Sequence, residues 1–127
     1  MDEVSAGIGI EQLKKFDKSN KKRLDICKRY EREIKISEKI PFNNECSYHL
    51  YWILVKDRKK FMKKMSSKNI ETGTHYAPVH SMSFYKSKEK LPITDDVAKK
   101  IVTIPIHPRL SDKDVDHIIK TINSSIK

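Results

Sequence analysis

The residues of this chain that could do chemistry are few and scattered. Five histidines, His49, His75, His80, His107 and His117, supply imidazoles able to donate, accept or bind metal near neutral pH. None stands in a His-Glu-x-x-His pattern and no cysteine pair completes a zinc set, so a metal site would need long-range assembly. Cys27 and Cys46 form no Cys-x-x-Cys pair, which excludes a cysteine zinc site and argues against a disulfide scaffold. No serine lies in a Gly-x-Ser-x-Gly context, and Cys27 falls on the apolar face of a helix, so hydrolase chemistry has no nucleophile here. Asp95-Asp96 and Asp112 with Asp114 read as helix-start acids rather than an acid/base pair. His107, between Pro105 and Pro108, reads as a turn residue, with ligand binding as the alternative; His49, in an apolar stretch, reads as a core or edge histidine.

The commonest functional group is the lysine ammonium. The 127 residues carry Lys+Arg 27 against Asp+Glu 17, a formal net charge of +10, and only five of the basic residues are arginines. Such a surface attracts polyanions in a salt-dependent way. The chain nevertheless lacks an RNA-recognition signature, a zinc finger and aromatics interleaved with the basic runs, so solvated helix faces explain the lysines better than nucleic acid does. With 37% hydrophobic and 35% charged residues the composition is that of one small globular domain. No stretch reaches the roughly 18 unbroken apolar residues of a membrane span, and the acidic start lacks a signal-peptide core, so a cytoplasmic location is expected.

The elements that must position these groups follow from periodicity. From about Val4 to Ile36, Ile10, Leu13, Phe16, Leu24, Cys27, Tyr30 and Ile34 recur mostly at steps of three or four, which predicts one long helix with a single apolar face. Ser19-Asn20 leaves room for a kink or break, and Gly7-Ile8-Gly9 suits close helix packing, since a phosphate loop would need a third glycine and a preceding strand. Residues 46–55, dense in aromatic and β-branched types, predict a buried strand. Asp57 then caps a short helix over 58–68. Residues 70–76 alternate as a second strand around Gly73, and 77–91 read as a loop anchored by Phe84-Tyr85. Pro92 and Thr94 open a helix to Lys100, residues 102–106 form a third strand, and Ser111 caps a last helix with Val115, Ile118, Ile119 and Ile122 inward. The expected class is α+β, a long N-terminal helix followed by a three-stranded sheet backed by helices. Residues 1–40 would be a connecting helix and 41–127 a small domain.

Three separated segments in register carry more than pattern: residues 1–13 (MDEVSAGIGIEQL), 70–80 (IETGTHYAPVH) and 104–111 (IPIHPRLS). In this order they resemble the C-terminal domain of the DegT/DnrJ/StrS family of nucleotide-sugar aminotransferases. The resemblance implies a fold-type-I transaminase, normally a homodimer, whose large domain holds pyridoxal 5'-phosphate on a lysine and moves an amino group from glutamate to a nucleotide-linked keto sugar. It implies that this chain is the small domain, without the cofactor lysine or any catalytic residue, binding no cofactor by itself and inactive alone. It places His75 and Tyr76, the family's His-Tyr motif, at the edge of the substrate site, with His80 beside them as a further substrate contact. Thr72 and Thr74 could offer hydroxyls there. Against this stand two other readings, a free interaction module docking through its long helix, and a basic nucleic-acid-binding domain.

Overall fold

The computed structural model describes residues 1–85 and 89–126. Helix α1 (Glu3–Glu33) opens with Asp2, whose carboxylate accepts from the Ser5 N–H, and it passes Ser19-Asn20 without a break. Strand β1 (Tyr51–Leu54), helix α2 (Arg58–Ser66), a 3₁₀ turn (Val79–Ser81), helix α3 (Pro92–Lys100), strand β2 (Ile101–Ile104) and helix α4 (Asp112–Ser125) follow. Three of the starts behave as their residues dictate. Asp57 accepts from the Lys60 N–H at the head of α2, Pro92 stands in the first turn of α3, and Ser111 and Asp114 cap α4 reciprocally.

The sheet differs from the three strands expected. Among the described residues it has two, antiparallel, with Tyr51 opposite Ile104 and Leu54 opposite Ile101. The expected strand over 46–55 shortens because Tyr48 has φ 32, a left-handed backbone that interrupts extension. That residue is held by its own side chain: its hydroxyl receives the Asn43 N–H at 2.6 Å and donates to the Pro41 carbonyl at 3.1 Å, while its ring stacks on Phe42. The expected strand over 70–76 contracts to one bridge, Gly73 to Thr103, with N–H···O bonds of 3.0 and 2.9 Å in the two directions. Its start is tied instead to the end of α2, where Asn69 turns with φ 58 and the Ile70 N–H donates to the Met65 carbonyl. A second bridge, Lys39 to Ile53, borders the other edge of β1.

One core joins the elements. Ile26, Cys27 and Tyr30 of α1, Tyr51 and Ile53 of β1, Phe61 and Met65 of α2, Val102 and Ile104 of β2, and Val115, Ile118 and Ile122 of α4 are all buried. Tyr30 meets Tyr51 edge-on at 5.1 Å between ring centroids and donates its hydroxyl to the Pro105 carbonyl at 2.8 Å, so its polar end is satisfied inside. Asn123 of α4 closes the end of α1, donating to the Glu33 carbonyl and accepting the Lys35 N–H. Arg29 binds both Glu33 and Asp116, clasping α1 to α4.

The apolar face expected along all of α1 is buried only in its second half. Cys27 and Tyr30 are 0% exposed, whereas Leu13 is 72% and Phe16 51% exposed, and Val4, Ile8 and Ile10 also face solvent. The packing anticipated at Gly7-Ile8-Gly9 is not made within the chain, since nothing lies within 4 Å of where a Cβ would stand on either glycine. The aromatic anchors expected in the 77–91 loop are exposed as well: Phe84 and Tyr85 touch each other edge-on and lie outside the core. Residues 86–88 of that loop lie outside the described residues.

Candidate functional site

A cavity of about 500 Å³ lies at the Tyr51/Ile104 end of the strand pair. Four histidines line it, His49, His75, His107 and His117, together with Thr72, Thr103 and Asp114. They arrive from four parts of the chain, and the two-strand register brings them together. His49 comes just before β1, His75 follows the Gly73 bridge, Thr103 and His107 lie on and after β2, and Asp114 and His117 occupy the first turns of α4.

The polar groups of the wall are already ordered. His75 Nδ1 lies 2.8 Å from the Thr103 hydroxyl. His117 donates from Nε2 to the Lys68 carbonyl at 2.9 Å, because a carbonyl can only accept. The Asp114 carboxylate accepts from the Ser111 hydroxyl and backbone N–H, and these bonds hold its carboxyl below the usual carboxylate range, with His107 and His117 reinforcing the shift. Gly73 is required by this arrangement. A Cβ there would come within 2.5 Å of His75 Cε1 and 2.9 Å of Thr103 Oγ1, closer than atoms can approach.

The residues singled out from the sequence separate at this point. His75 lines the cavity, and Tyr76 stands beside it, 69% exposed, with the two rings edge-on at 5.0 Å across a cis peptide bond. His80 is not in the wall: its Nε2 lies 2.9 Å from Asp95 and ties the 3₁₀ turn to α3. Thr72 is in the wall and Thr74 is not. The sequence reading gave His107 a turn role with ligand binding as the alternative and His49 a core or edge role, and it assigned no function to His117 or Thr103. A signal for His117 was available, since it follows the apolar position Val115 by two and so leaves the buried face of α4 near its capped end. Among the described residues no three His, Cys, Asp or Glu side chains converge as a metal site, and no helix is long and apolar enough to cross a membrane.

A second cavity, of about 750 Å³, lies at the opposite end of the strand pair, where Leu54, Val55 and Lys100 meet α2 and the end of α4. Five lysines border it. Lys35, Lys56 and Lys60 are exposed, while the two half-buried ones are committed, Lys64 to the Ser124 carbonyl and Lys100 to Asp96.

Comparison with known proteins places this geometry. The model of the DegT/DnrJ/EryC1/StrS aminotransferase family matches residues 1–123. The GDP-perosamine synthase of Escherichia coli O157:H7 is 28% identical over 97% of this chain and 36% of its own length. The crystal structure of the sugar aminotransferase CalS13 from Micromonospora echinospora superposes with a TM-score of 0.89 at 25% identity, covering 98% of this chain and 35% of that one. The PLP form of Spr1654 from Streptococcus pneumoniae does so with a TM-score of 0.88 at 26% identity, over 98% of this chain and 36% of that one. The chain thus spans about a third of the length of the relatives it matches.

Pyridoxal phosphate, which the family implies, does not fit the residues described. The histidine cavity has neither a lysine nor a phenyl, tyrosyl or indole ring in its wall. In the lysine-bordered cavity every ammonium is exposed or already bonded, whereas an imine-forming lysine must be desolvated and free.

Proposed function

Because the chain belongs to the DegT/DnrJ/EryC1/StrS aminotransferase family, we propose that it serves as the small-domain part of a sugar aminotransferase. The whole enzyme would transfer an amino group from glutamate, leaving 2-oxoglutarate, to the keto carbon of a nucleotide-linked sugar. The observation that supports this is the histidine cavity: His75 of the family's His-Tyr pair lines it, and its wall offers imidazoles and hydroxyls that suit sugar oxygens. In this reading His75 contacts the sugar, Tyr76 stands beside it as a further contact, and His80 supports the turn that follows them by holding Asp95. The cofactor and the chemical step belong to the large domain, and the 127 residues alone neither bind the cofactor nor transaminate.

The same reading accounts for the bare half of α1. Residues 3–18 would form an arm of about 24 Å at about 1.5 Å per residue, exposed along Val4, Ile8, Leu13 and Phe16, with open space over Gly7 and Gly9 into which another backbone can approach. A solvent-exposed helical segment of this length is marginal in water, and each interior glycine weakens it by about 1 kcal/mol relative to alanine. The arm therefore docks on the large domain, residues 1–40 acting as the connection and 41–127 as the small domain, in an enzyme that works as a dimer in the cytoplasm.

The test begins with an antibody raised against this chain. Native material captured with it from the source cells and supplied with pyridoxal phosphate, glutamate and nucleotide-linked keto sugars should release 2-oxoglutarate, in a band well above 14.9 kDa. A 14.9 kDa product that yields no 2-oxoglutarate with any partner it brings down would overturn the reading.

A further inference from the structure

The pairing of His75 with Thr103 decides which face of the imidazole chemistry the cavity sees. Thr103 is 5% exposed, and among the described residues its hydroxyl has one partner, His75 Nδ1, at 2.8 Å. Two proton arrangements give that distance. If Nδ1–H donated to the hydroxyl oxygen, the hydroxyl's own proton would have no acceptor among the described residues. If the hydroxyl donates to Nδ1, both groups are satisfied. The second arrangement leaves Nδ1 without a proton, so in the neutral ring the proton resides on Nε2. No other group among the described residues engages Nε2.

We propose that Thr103 is a positioning residue that locks His75 in the Nε2–H tautomer, so that His75 presents a hydrogen-bond donor to the cavity and selects an oxygen acceptor on the ligand. The chemical class follows: a carbonyl, hydroxyl, carboxylate or phosphate oxygen fits this position, and an ammonium or amide N–H does not. Gly73 belongs to the device. Its backbone pairs with Thr103 in both directions, and its missing Cβ leaves room for the ring against the hydroxyl. The inference rests on the reading of His75 as a ligand contact for its purpose, but the tautomer itself does not depend on that reading.

The experiment uses the 127-residue chain with ¹⁵N-labelled histidine and no ligand, at about pH 9, where imidazoles of ordinary pKa are neutral. The His75 signals are assigned by their loss in His75→Gln. We expect wild type to show a protonated Nε2 and an unprotonated Nδ1. Thr103→Val, of nearly the same shape, should shift both nitrogens toward the average of two exchanging tautomers, and Thr103→Ser should restore the wild-type pattern. Gly73→Ala, which keeps the hydroxyl but takes the space, should also lose it. A protonated Nδ1 in the wild type, or a pattern that folded Thr103→Val leaves unmoved, would overturn the proposal. If Thr103→Val does not fold, Thr103→Ser and the wild type decide, since a Ser variant with an averaged pattern also overturns it. A failed transamination assay leaves this result standing, and a failed tautomer assignment leaves the aminotransferase reading standing.

Discussion

Helix α1 carries two halves that both set apolar residues and lysines at helical spacing and meet opposite fates. In residues 3–18, Val4, Ile8, Leu13 and Phe16 face water, while in the second half Ile26, Cys27 and Tyr30 are buried. Both halves have apolar residues and lysines at helical spacing, so periodicity treats them as one face. The difference is that α4 and the strand pair reach only the second half, where Asn123, Arg29 and the Tyr30 hydroxyl add specific polar closures. An apolar stripe thus tells where a helix can be covered, and the partner decides where it is covered.

This contrast can be broken or sharpened by substitution, with the largest effect expected at the docked end. Tyr30→Ala removes a fully buried ring, its edge contact with Tyr51 and the bond to the Pro105 carbonyl. It should cost about 3–5 kcal/mol of unfolding free energy in urea titrations, the range for large aromatic deletions in cores. A loss under about 1 kcal/mol would mean that the second half of α1 is not docked as described. The clasp should have an intermediate effect that depends on pH. Hydrogen bonds from Arg29 and then Arg32 hold the Glu33 carboxyl below its usual range. A carboxyl lowered on folding stabilises the fold above its unfolded pKa of about 4.3 and loses that contribution as pH falls through its folded value. Glu33→Gln should therefore lower the urea midpoint at pH 7 and flatten its decline below about pH 4, and parallel profiles for the two proteins would remove Glu33 from the clasp. The smallest effect belongs to the arm. Phe16→Ala should change the stability of the isolated chain by less than about 0.5 kcal/mol, as substitutions at uncovered positions do. A larger loss that grows with protein concentration would show the arm already covered by a second copy.

The cysteines repeat the comparison on a smaller scale. Cys27, within the buried stripe, has its thiol pushed up to about 12 by desolvation, which makes it an inert core residue, whereas Cys46 is exposed in the loop before Tyr48. Among the described residues both are free thiols.

Local chemistry was legible wherever a few neighbouring residues decide the outcome. The caps at Asp57 and Ser111, the proline-led start of α3 and the inward face of α4 were readable because each depends on contacts within one or two turns. The family was legible too, because three motifs in register span nearly all of the chain. For the candidate site the resemblance offered His75, Tyr76 and His80; His75 lines the cavity, Tyr76 stands beside it and His80 turns away to Asp95. The third strand was not legible: alternation over 70–76 cannot report that the end of α2 pulls Ile70 aside and that only Gly73 reaches Thr103.

What the sequence determined by itself is therefore the helices, their starts, the α+β class and the membership of the chain in its family. What tertiary structure alone decided is which half of α1 is covered, how wide the sheet is and which four histidines share a cavity. The physical reason is range. Caps and helical faces are set by neighbours along the chain, whereas the bond from Thr103 to His75 needs segments 28 residues apart to meet, and that from Tyr30 to Pro105 needs segments 75 residues apart. Their meeting is fixed by the packing of the whole core.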